Sequence, residues 1–154
     1  MAAKRAQGLE AVMAGSLKLY DRGDKKWFSN LAKDATVYAI GTTAPFVGRE
    51  AYEAHFSSNL TSAKRKTKVL DQRIKYLNDA TAVVTQTLQV VQGGVVSVVR
   101  QSVVWGLDKA WEIRHLHSAL VGTPTGAKAP GTAAGIRVLN ERIATVAAVL
   151  GVAQ

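Results

Sequence analysis

The sequence contains no cysteine among its 154 residues. Disulfide bridges, zinc sites built on thiolates and cysteine nucleophiles are therefore excluded. The sequence also lacks an uninterrupted apolar run of the roughly 18 residues that a membrane span requires. Its first ten residues have no apolar core of the kind found in signal peptides. We therefore expect a cytoplasmic protein with no membrane partner.

Aromatic residues are sparse, at 6% of the chain, whereas basic residues are in excess and give a formal net charge of +9. Part of this charge is local, in the short basic run formed by Lys64, Arg65, Lys66 and Lys68. Such a run is typical of a solvated surface. Because no aromatic residues alternate with it, it offers no stacking platform for single-stranded nucleic acid. We therefore do not expect nucleic acid as a partner.

The first part of the chain has the periodicity of helices. The hydrophobic fraction of 47% is ordinary for a globular protein, and a chain of this length can bury a core of its own. Apolar residues recur at three- and four-residue steps over 7–22. Two shorter helices are predicted over 25–33 and 49–59, with a strand over 34–40 between them.

From residue 67 onward the apolar pattern has a period of two, which is typical of strands. Short turns between strands make antiparallel hairpins. Helices followed by such a meander predict an α+β fold, in which the N-terminal helices pack on a curved antiparallel sheet. The predicted elements of this second part are strands over 67–77, 80–91, 95–106 and 111–121, a loop over 122–135 and an extra C-terminal helix within 136–154.

Two-residue turns determine which residues lie opposite each other in a sheet. A Gly93-Gly94 turn places Arg100 opposite Thr87, and an Asp108-Lys109 turn places His117 opposite Arg100. The same reasoning places His115 opposite Ser102. One face of the sheet is therefore predicted to be polar, with Gln72, Thr85, Thr87, Gln89, Arg100, Ser102, His115 and His117.

The opposite face of the middle strands is predicted to be apolar, with Val84, Leu88, Val99, Val103 and Trp105. An apolar patch on a sheet face that is otherwise wet indicates a subunit contact or a docking surface for the last helix. By elimination, the polar face is predicted to be the concave one, covered by the helices. The apolar patch is then predicted to be an outer surface through which a homodimer forms.

Several short motifs have a recognisable order along the chain: Gly23-Asp24, Asp34-Ala35-Thr36-Val37, Gly48-Arg49-Glu50-Ala51, Arg100-Gln101-Ser102-Val103-Val104-Trp105, and Trp111-Glu112-Ile113-Arg114-His115-Leu116-His117-Ser118. This order resembles the nuclear transport factor 2-like superfamily. The likeness is greatest to its SnoaL-like branch, to the kinase association-domain relatives and to small accessory proteins of oxalurate catabolism.

The resemblance covers residues 9–121 and implies a cone-shaped domain over 1–121 with a pocket inside the cone. It also implies a homodimer through the outer sheet face. The loop over 122–135 and the helical extension over 136–154 lie outside it. Members of the superfamily include isomerases, dehydratases and proteins without known chemistry, so the resemblance implies no single activity.

Arg100 is the leading candidate for ligand binding, because a half-buried guanidinium needs an anion or several acceptors. We therefore expect a small polar or anionic molecule, held in a forked geometry. Further candidates share the polar face or are predicted to line the pocket from the first helix and strand: Thr87, Ser102, His115, His117, Tyr20 and Tyr38.

Whether the protein is an enzyme stays open at this point. His117 and His115 are competent acid–base groups near neutral pH, so a lyase or isomerase is one alternative. The stretch 38–41 lacks the carboxylate that isomerases of this superfamily use as a base. A non-catalytic dimerisation or interaction module is another alternative. No third ligand accompanies the two histidines, so we expect no metal and no other cofactor.

Overall fold

The computed structural model describes residues 2–126, with side chains from Gly8 onward. Within this range the helices pack on one curved, six-stranded sheet. The elements are α1 (Ala2–Arg22), a 3₁₀ helix (Lys25–Asn30), β1 (Leu31–Tyr38), β2 (Phe46–Val47), α2 (Arg49–Thr61), β3 (Lys66–Asn78), β4 (Thr81–Gln92), β5 (Val95–Leu107) and β6 (Trp111–Leu120). The predicted C-terminal helix within 136–154 lies outside the described residues.

The break between α1 and the 3₁₀ helix is built by two adjacent residues. Gly23 has a left-handed φ of 67°, and a Cβ at this position would lie 2.7 Å from the backbone oxygen of Leu60. A side chain is therefore excluded by both backbone conformation and space. The side chain of Asp24 then accepts a hydrogen bond of 2.9 Å from the Lys26 amide and caps the 3₁₀ helix.

The sheet has the strand order β2-β1-β6-β5-β4-β3. All neighbouring strands are antiparallel except β1 and β6, which pair in parallel. The predicted α+β fold is confirmed, with the correction that the sheet is mixed. The parallel pair arises because the chain leaves β1, passes through α2 and the β3–β5 meander, and returns beside β1 in the same direction.

The β4–β5 hairpin has the predicted register. Gly93 and Gly94 form its turn with φ values of 56° and 78°, a backbone that favours glycine and suits two-residue hairpins. Arg100 lies opposite Thr87, as expected.

The β5–β6 hairpin differs from the prediction in two places. Leu107 pairs with Trp111, so the turn has three residues rather than two. A β-bulge follows, with Arg114 as the additional residue. Each irregularity shifts the register by one residue, so the total shift beyond the bulge is two residues. Side chains alternate between the two faces of a strand with a period of two residues, so a shift of two leaves each side chain on its original face.

The two histidines therefore keep their predicted face but have other partners. His117 lies opposite Ser102 and His115 lies opposite Val104. The predicted pairs, His117 with Arg100 and His115 with Ser102, are each wrong by two residues.

The β3–β4 hairpin has a net shift of one residue relative to the prediction. Asn78 pairs with Thr81, and a bulge follows, so Gln72 lies opposite Gln86 instead of Thr85. A shift of one residue moves a side chain to the other face of the sheet. Gln72 is therefore on the opposite face from the one predicted.

The apolar residues predicted for an outer surface are on the concave face instead. Val84, Val103 and Trp105 are buried, with 0%, 3% and 4% of their surface exposed, and Leu88 is buried as well. Val99 is half-buried and lies on the same face. All five side chains are on the face toward the helices, not on the outer face that was predicted for the dimer contact. The homodimer itself stays a prediction.

The physical reason for this inversion is the hydrophobic effect. Fully burying a side chain such as Val84 contributes about 1.5–3 kcal/mol. Burying Arg100 and two histidines in its place would require partners for each charge or polar atom. The helices therefore cover the apolar face, and the polar face is on the outside.

Candidate functional site

A cavity of about 650 Å³ lies between the helices and the concave face of the sheet. Cavities that bind small molecules commonly have volumes of about 300–1,000 Å³. The helices contribute Met13, Leu17, Tyr20, Tyr52, His55 and Phe56 to its lining. The sheet contributes apolar side chains that include Leu88, Val90, Val99, Val103, Trp105 and Leu116. The lining is therefore mostly apolar and can hold a small organic molecule.

Tyr52 is at the centre of an aromatic cluster on the helical side of the cavity. Its ring stacks on Phe56, with centroids 5.4 Å apart and an angle of 16° between the planes. Trp27 and Phe28 contact it edge-on, at 6.2 and 6.1 Å, and Phe46 lies at 5.7 Å. Contacts on several sides fix the orientation of the Tyr52 ring.

A row of polar side chains crosses four strands on the concave face. We call Gln72, Gln86, Gln101 and Ser118 the glutamine row. The Gln86 amide donates to the Gln72 carbonyl at 2.7 Å, and the Gln101 amide donates to the Gln86 carbonyl at 2.7 Å. The Ser118 hydroxyl donates to the Gln101 carbonyl at 3.4 Å. All four side chains line the cavity, so they form a polar strip on an apolar floor.

The glutamine row leaves some of its N–H donors unused. Each side-chain amide has two N–H groups, and Gln86 and Gln101 each use one of them within the row. Among residues 8–126 the amide of Gln72 has no acceptor, because the row ends there. A ligand with an oxygen acceptor would therefore find free donors along this strip.

Arg65 is buried at the edge of the cavity, with 7% of its surface exposed. Its guanidinium donates to the backbone oxygens of Leu60, Ala63 and Asn59 at 2.9, 3.1 and 2.9 Å, and to the Asn59 side chain at 3.0 Å. It also lies 4.9 Å from the centre of the Tyr20 ring. Its charge thus stabilises the C-terminal end of α2.

The burial of Arg65 corrects one expectation from the sequence. The basic run around it was expected to be a solvated surface, and Lys64, Lys66 and Lys68 are indeed exposed. Arg65 points inward instead, because its five donors match the unpaired carbonyl groups at a helix end.

Two tyrosines bring protonated hydroxyl groups to the cavity. Burial raises the pKa of Tyr52 well above its ordinary value, and the neighbouring Tyr20 raises it further, while Arg65 opposes the shift. Burial also raises the pKa of Tyr20, against the opposing charge of Arg65. Both hydroxyl groups are therefore protonated at neutral pH and can donate hydrogen bonds.

Of the seven predicted ligand-binding residues, Tyr20 lies in the cavity lining. Tyr38 lies on the outer face, where its ring is 5.8 Å from the rings of both His115 and His117. These three side chains do come together, as a cluster on the outside of the sheet. The two candidate general bases are therefore separated from the cavity by the sheet itself.

The remaining predicted residues are also on the outer face. Arg100 and Ser102 are exposed, and Thr87 is half-buried. None of the three lines the cavity that the described residues form. The prediction that this polar face lines the pocket is wrong, and any binding role of these side chains stays a prediction.

The sequence contains a pattern that indicates the glutamine row. Gln86 alternates with Leu88 and Val90 on β4, and Gln101 alternates with Val99 and Val103 on β5. A single glutamine within an apolar face is unusual, since a buried amide needs partners. The signal for Tyr52 and Arg65 is weaker, because their surroundings depend on how the helices pack.

Between residues 8 and 126, no group of three or more histidine or acidic side chains is arranged to hold a metal ion. No helix in the described part of the chain has both the length and the hydrophobicity to cross a membrane.

Comparisons with solved structures identify the fold. A protein from Novosphingobium aromaticivorans proposed to be a scytalone dehydratase is 11% identical, with a TM-score of 0.71 over 80% of this chain and 88% of its own. A proposed dehydratase of the nuclear transport factor 2-like family from Streptomyces avermitilis is 17% identical, with a TM-score of 0.65 over 76% and 99%. A proposed calcium/calmodulin-dependent protein kinase II association domain from Xanthomonas campestris is 19% identical, with a TM-score of 0.64 over 73% and 85%.

The chain therefore has the nuclear transport factor 2-like fold, and the resemblance seen in the sequence is confirmed at the level of the fold. Comparison with protein-family models and with curated proteins found no match. Identities of 11–19% establish the architecture alone. A shared fold does not imply a shared function, so the fold alone does not assign an activity to this chain.

Proposed function

We propose that this protein binds a small, largely apolar molecule with neutral oxygen-containing groups in the cavity between α1, α2 and the sheet. The observation that carries the proposal is the cavity itself, about 650 Å³ in volume and lined by aromatic and aliphatic side chains. The glutamine row adds a polar strip that can orient such a molecule. Few, well-placed polar groups in an apolar lining are typical of small-molecule sites.

The charges around the cavity favour a neutral ligand over the anionic one expected from the sequence. Arg100 is on the outer face of the sheet. Among the described residues that line the cavity, Arg65 is the arginine. Four hydrogen bonds already hold the Arg65 guanidinium against the end of α2. An anion in this cavity would lose its hydration without gaining a free guanidinium.

A second candidate function is acid–base catalysis in the same cavity, by a lyase or an isomerase. Among the described residues, His55 is the histidine whose side chain lines the cavity. Its ring stacks on Phe46, with the ring centroids 4.5 Å apart. The proposed dehydratases of the same fold favour this candidate. It predicts a turnover that is lost in His55→Ala and unchanged in His117→Ala.

Calorimetric titration with 2-acetylnaphthalene, which has a ketone on an apolar body, tests the binding proposal. A matched pair of variants locates the site, because Leu88 and Thr87 are adjacent on β4 but lie on opposite faces of the sheet. Leu88→Trp fills the cavity, whereas Thr87→Trp adds the same side chain outside. We expect the first to weaken binding at least tenfold and the second to leave it unchanged.

Overpacking a core commonly costs about 1–3 kcal/mol, so thermal unfolding of both variants should accompany the titration. If Leu88→Trp does not fold, the smaller replacement Leu88→Phe serves the same purpose. Equal binding by the cavity and outer-face variants would contradict the proposal, as would the absence of binding by the unaltered protein.

A further inference from the structure

The hydroxyl of Tyr52 has no hydrogen-bond partner among residues 8–126. The residue as a whole is deeply buried, with 6% of its surface exposed, and it lines the cavity. A buried hydroxyl normally has a partner, because leaving it unpaired removes a hydrogen bond to water without replacing it. A polar atom presented in this way to an open cavity is complementary to a polar atom of a ligand.

The indole nitrogen of Trp105 differs from the Tyr52 hydroxyl in its accessibility. It is also without a partner in the described residues, but less than 1 Å² of its surface is accessible. A molecule in the cavity cannot reach it unless the surrounding side chains move. The Tyr52 hydroxyl is not covered in this way, so of these two unpaired donors it is the one available to a ligand.

Its surroundings hold the Tyr52 hydroxyl in place and keep it a donor. Phe56 stacks on one side of the ring, while Trp27 and Phe28 meet it edge-on, so little side-chain freedom is lost when a ligand binds. Burial keeps the phenol protonated, and the neighbouring Tyr20 adds to this effect. A fixed, protonated hydroxyl in an apolar wall binds an acceptor better than a mobile one.

We propose that the Tyr52 hydroxyl donates a hydrogen bond to a neutral oxygen atom, the carbonyl or hydroxyl oxygen of the molecule held in the cavity. This inference rests on the proposed function and adds the residue that selects the ligand. A neutral oxygen fits better than a carboxylate, because the aromatic cluster is uncharged and the guanidinium of Arg65 already has four hydrogen bonds at the end of α2. Tyr52 is thus a specificity-determining residue. It favours the binding of oxygen-containing ligands over the binding of hydrocarbons of the same shape.

The experiment compares two probes with nearly the same shape, 2-acetylnaphthalene and 2-ethylnaphthalene, in the unaltered protein and in Tyr52→Phe. The ketone has an oxygen acceptor and the hydrocarbon has none. Loss of one hydrogen bond is expected to weaken the binding of 2-acetylnaphthalene about tenfold. The affinity for 2-ethylnaphthalene should not fall. Tyr38→Phe, which removes a hydroxyl on the outer face, is the matched control and should change neither affinity.

The melting temperature separates a binding role from a structural one. Since the Tyr52 hydroxyl has no partner in the described residues, Tyr52→Phe should melt at the same temperature as the unaltered protein or higher. A lower melting temperature together with equal losses for both probes would mean that the hydroxyl supports the fold, and would overturn the inference.

A second measurement is spectroscopic. A donor at the carbonyl lowers the infrared C=O stretching frequency of bound 2-acetylnaphthalene, so the frequency should be lower in the unaltered protein than in Tyr52→Phe. Equal frequencies in the two proteins would overturn the inference while leaving the proposed function intact, because the ketone would still be bound. If neither probe binds, the proposed function fails, and the inference fails with it.

Discussion

The side-chain amide of Gln101 donates a 2.7 Å hydrogen bond to the side-chain carbonyl of Gln86, across strands β5 and β4. The two residues are opposite each other in the sheet, and Gln72 continues the row on β3 through another 2.7 Å bond. Cross-strand side-chain pairs of this kind stabilise neighbouring strands. Here they also place amide groups on the floor of the cavity.

Gln86→Ala is expected to lower the free energy of unfolding by about 1–2 kcal/mol, because it removes two side-chain hydrogen bonds. Gln89→Ala is the matched control, since Gln89 is on the same strand but faces outward, and its replacement should change stability by less than about 0.5 kcal/mol. Urea unfolding of both variants provides the measurement. Equal losses would show that the row contributes no stability of its own.

Arg65→Ala is expected to destabilise the protein by about 3 kcal/mol, because the backbone oxygens at the end of α2 lose a charged donor. Arg65→Lys should recover only part of this loss, since an ammonium group cannot reproduce the forked geometry of a guanidinium. Lys64→Ala, next in the chain but exposed, should lie within about 0.5 kcal/mol of the unaltered protein. Denaturant unfolding of the three variants distinguishes these cases. A neutral Arg65→Ala would contradict the proposed capping role.

Gly23→Ala is expected to cost at least about 2 kcal/mol, because it forces a side chain into a left-handed backbone and against the Leu60 carbonyl. The opposite sign is expected at Gly15, which lies within α1 with no atom within 4 Å of an added Cβ. There, alanine should stabilise the helix by about 0.5–1 kcal/mol. Melting temperatures of the two variants should therefore move in opposite directions. A shift in the same direction would argue against the conformation described at residue 23.

Stability is expected to fall at alkaline pH through the buried tyrosines. In the folded state the pKa of both Tyr20 and Tyr52 is raised, whereas in the unfolded chain tyrosine titrates near pH 10. Below about pH 10 both states keep the proton, so this contribution does not change. Above about pH 10 the unfolded state loses protons first, and the free energy of unfolding falls by up to about 1.4 kcal/mol per pH unit for each tyrosine.

Tyr52→Phe should make this alkaline decline shallower, because one of the two groups is removed. Urea unfolding of both proteins between about pH 9 and pH 11.5 measures this decline. Subtracting one free energy of unfolding from the other removes the contribution of the lysines, which both proteins share. Parallel curves for the two proteins would mean that Tyr52 does not hold its proton more tightly in the folded state.

The order of elements could be predicted from local patterns in the sequence. The Gly93-Gly94 turn, the Asp24 cap and the period-two strands each depend on a few neighbouring residues, and the structure contains all three. Backbone sterics and side-chain alternation act over such short distances, so a single sequence is sufficient to read them. The resemblance of its motifs to those of nuclear transport factor 2-like proteins then predicted the fold as a whole.

The faces of the sheet could be read only in part. The alternation of apolar and polar residues correctly placed Val103 and Trp105 on one face of the sheet and Arg100 and Ser102 on the other. It did not show which of the two faces the helices cover. That choice depends on total burial, and covering the apolar set is more favourable than covering a guanidinium and two imidazoles. The pattern alone predicts that the polar set lines the pocket, whereas in the structure Val103 and Trp105 line it.

By itself, then, the sequence determined most of the helices and strands and the Gly93-Gly94 turn, because each follows from interactions between near neighbours, and its motifs indicated the fold. Only the tertiary structure decided the site. The bulge at Arg114 and the shift between β3 and β4 are one-residue irregularities, and each moves side chains across the sheet. The burial of Arg65 and the position of the Tyr52 hydroxyl likewise depend on contacts between segments distant in the chain, which no local pattern records.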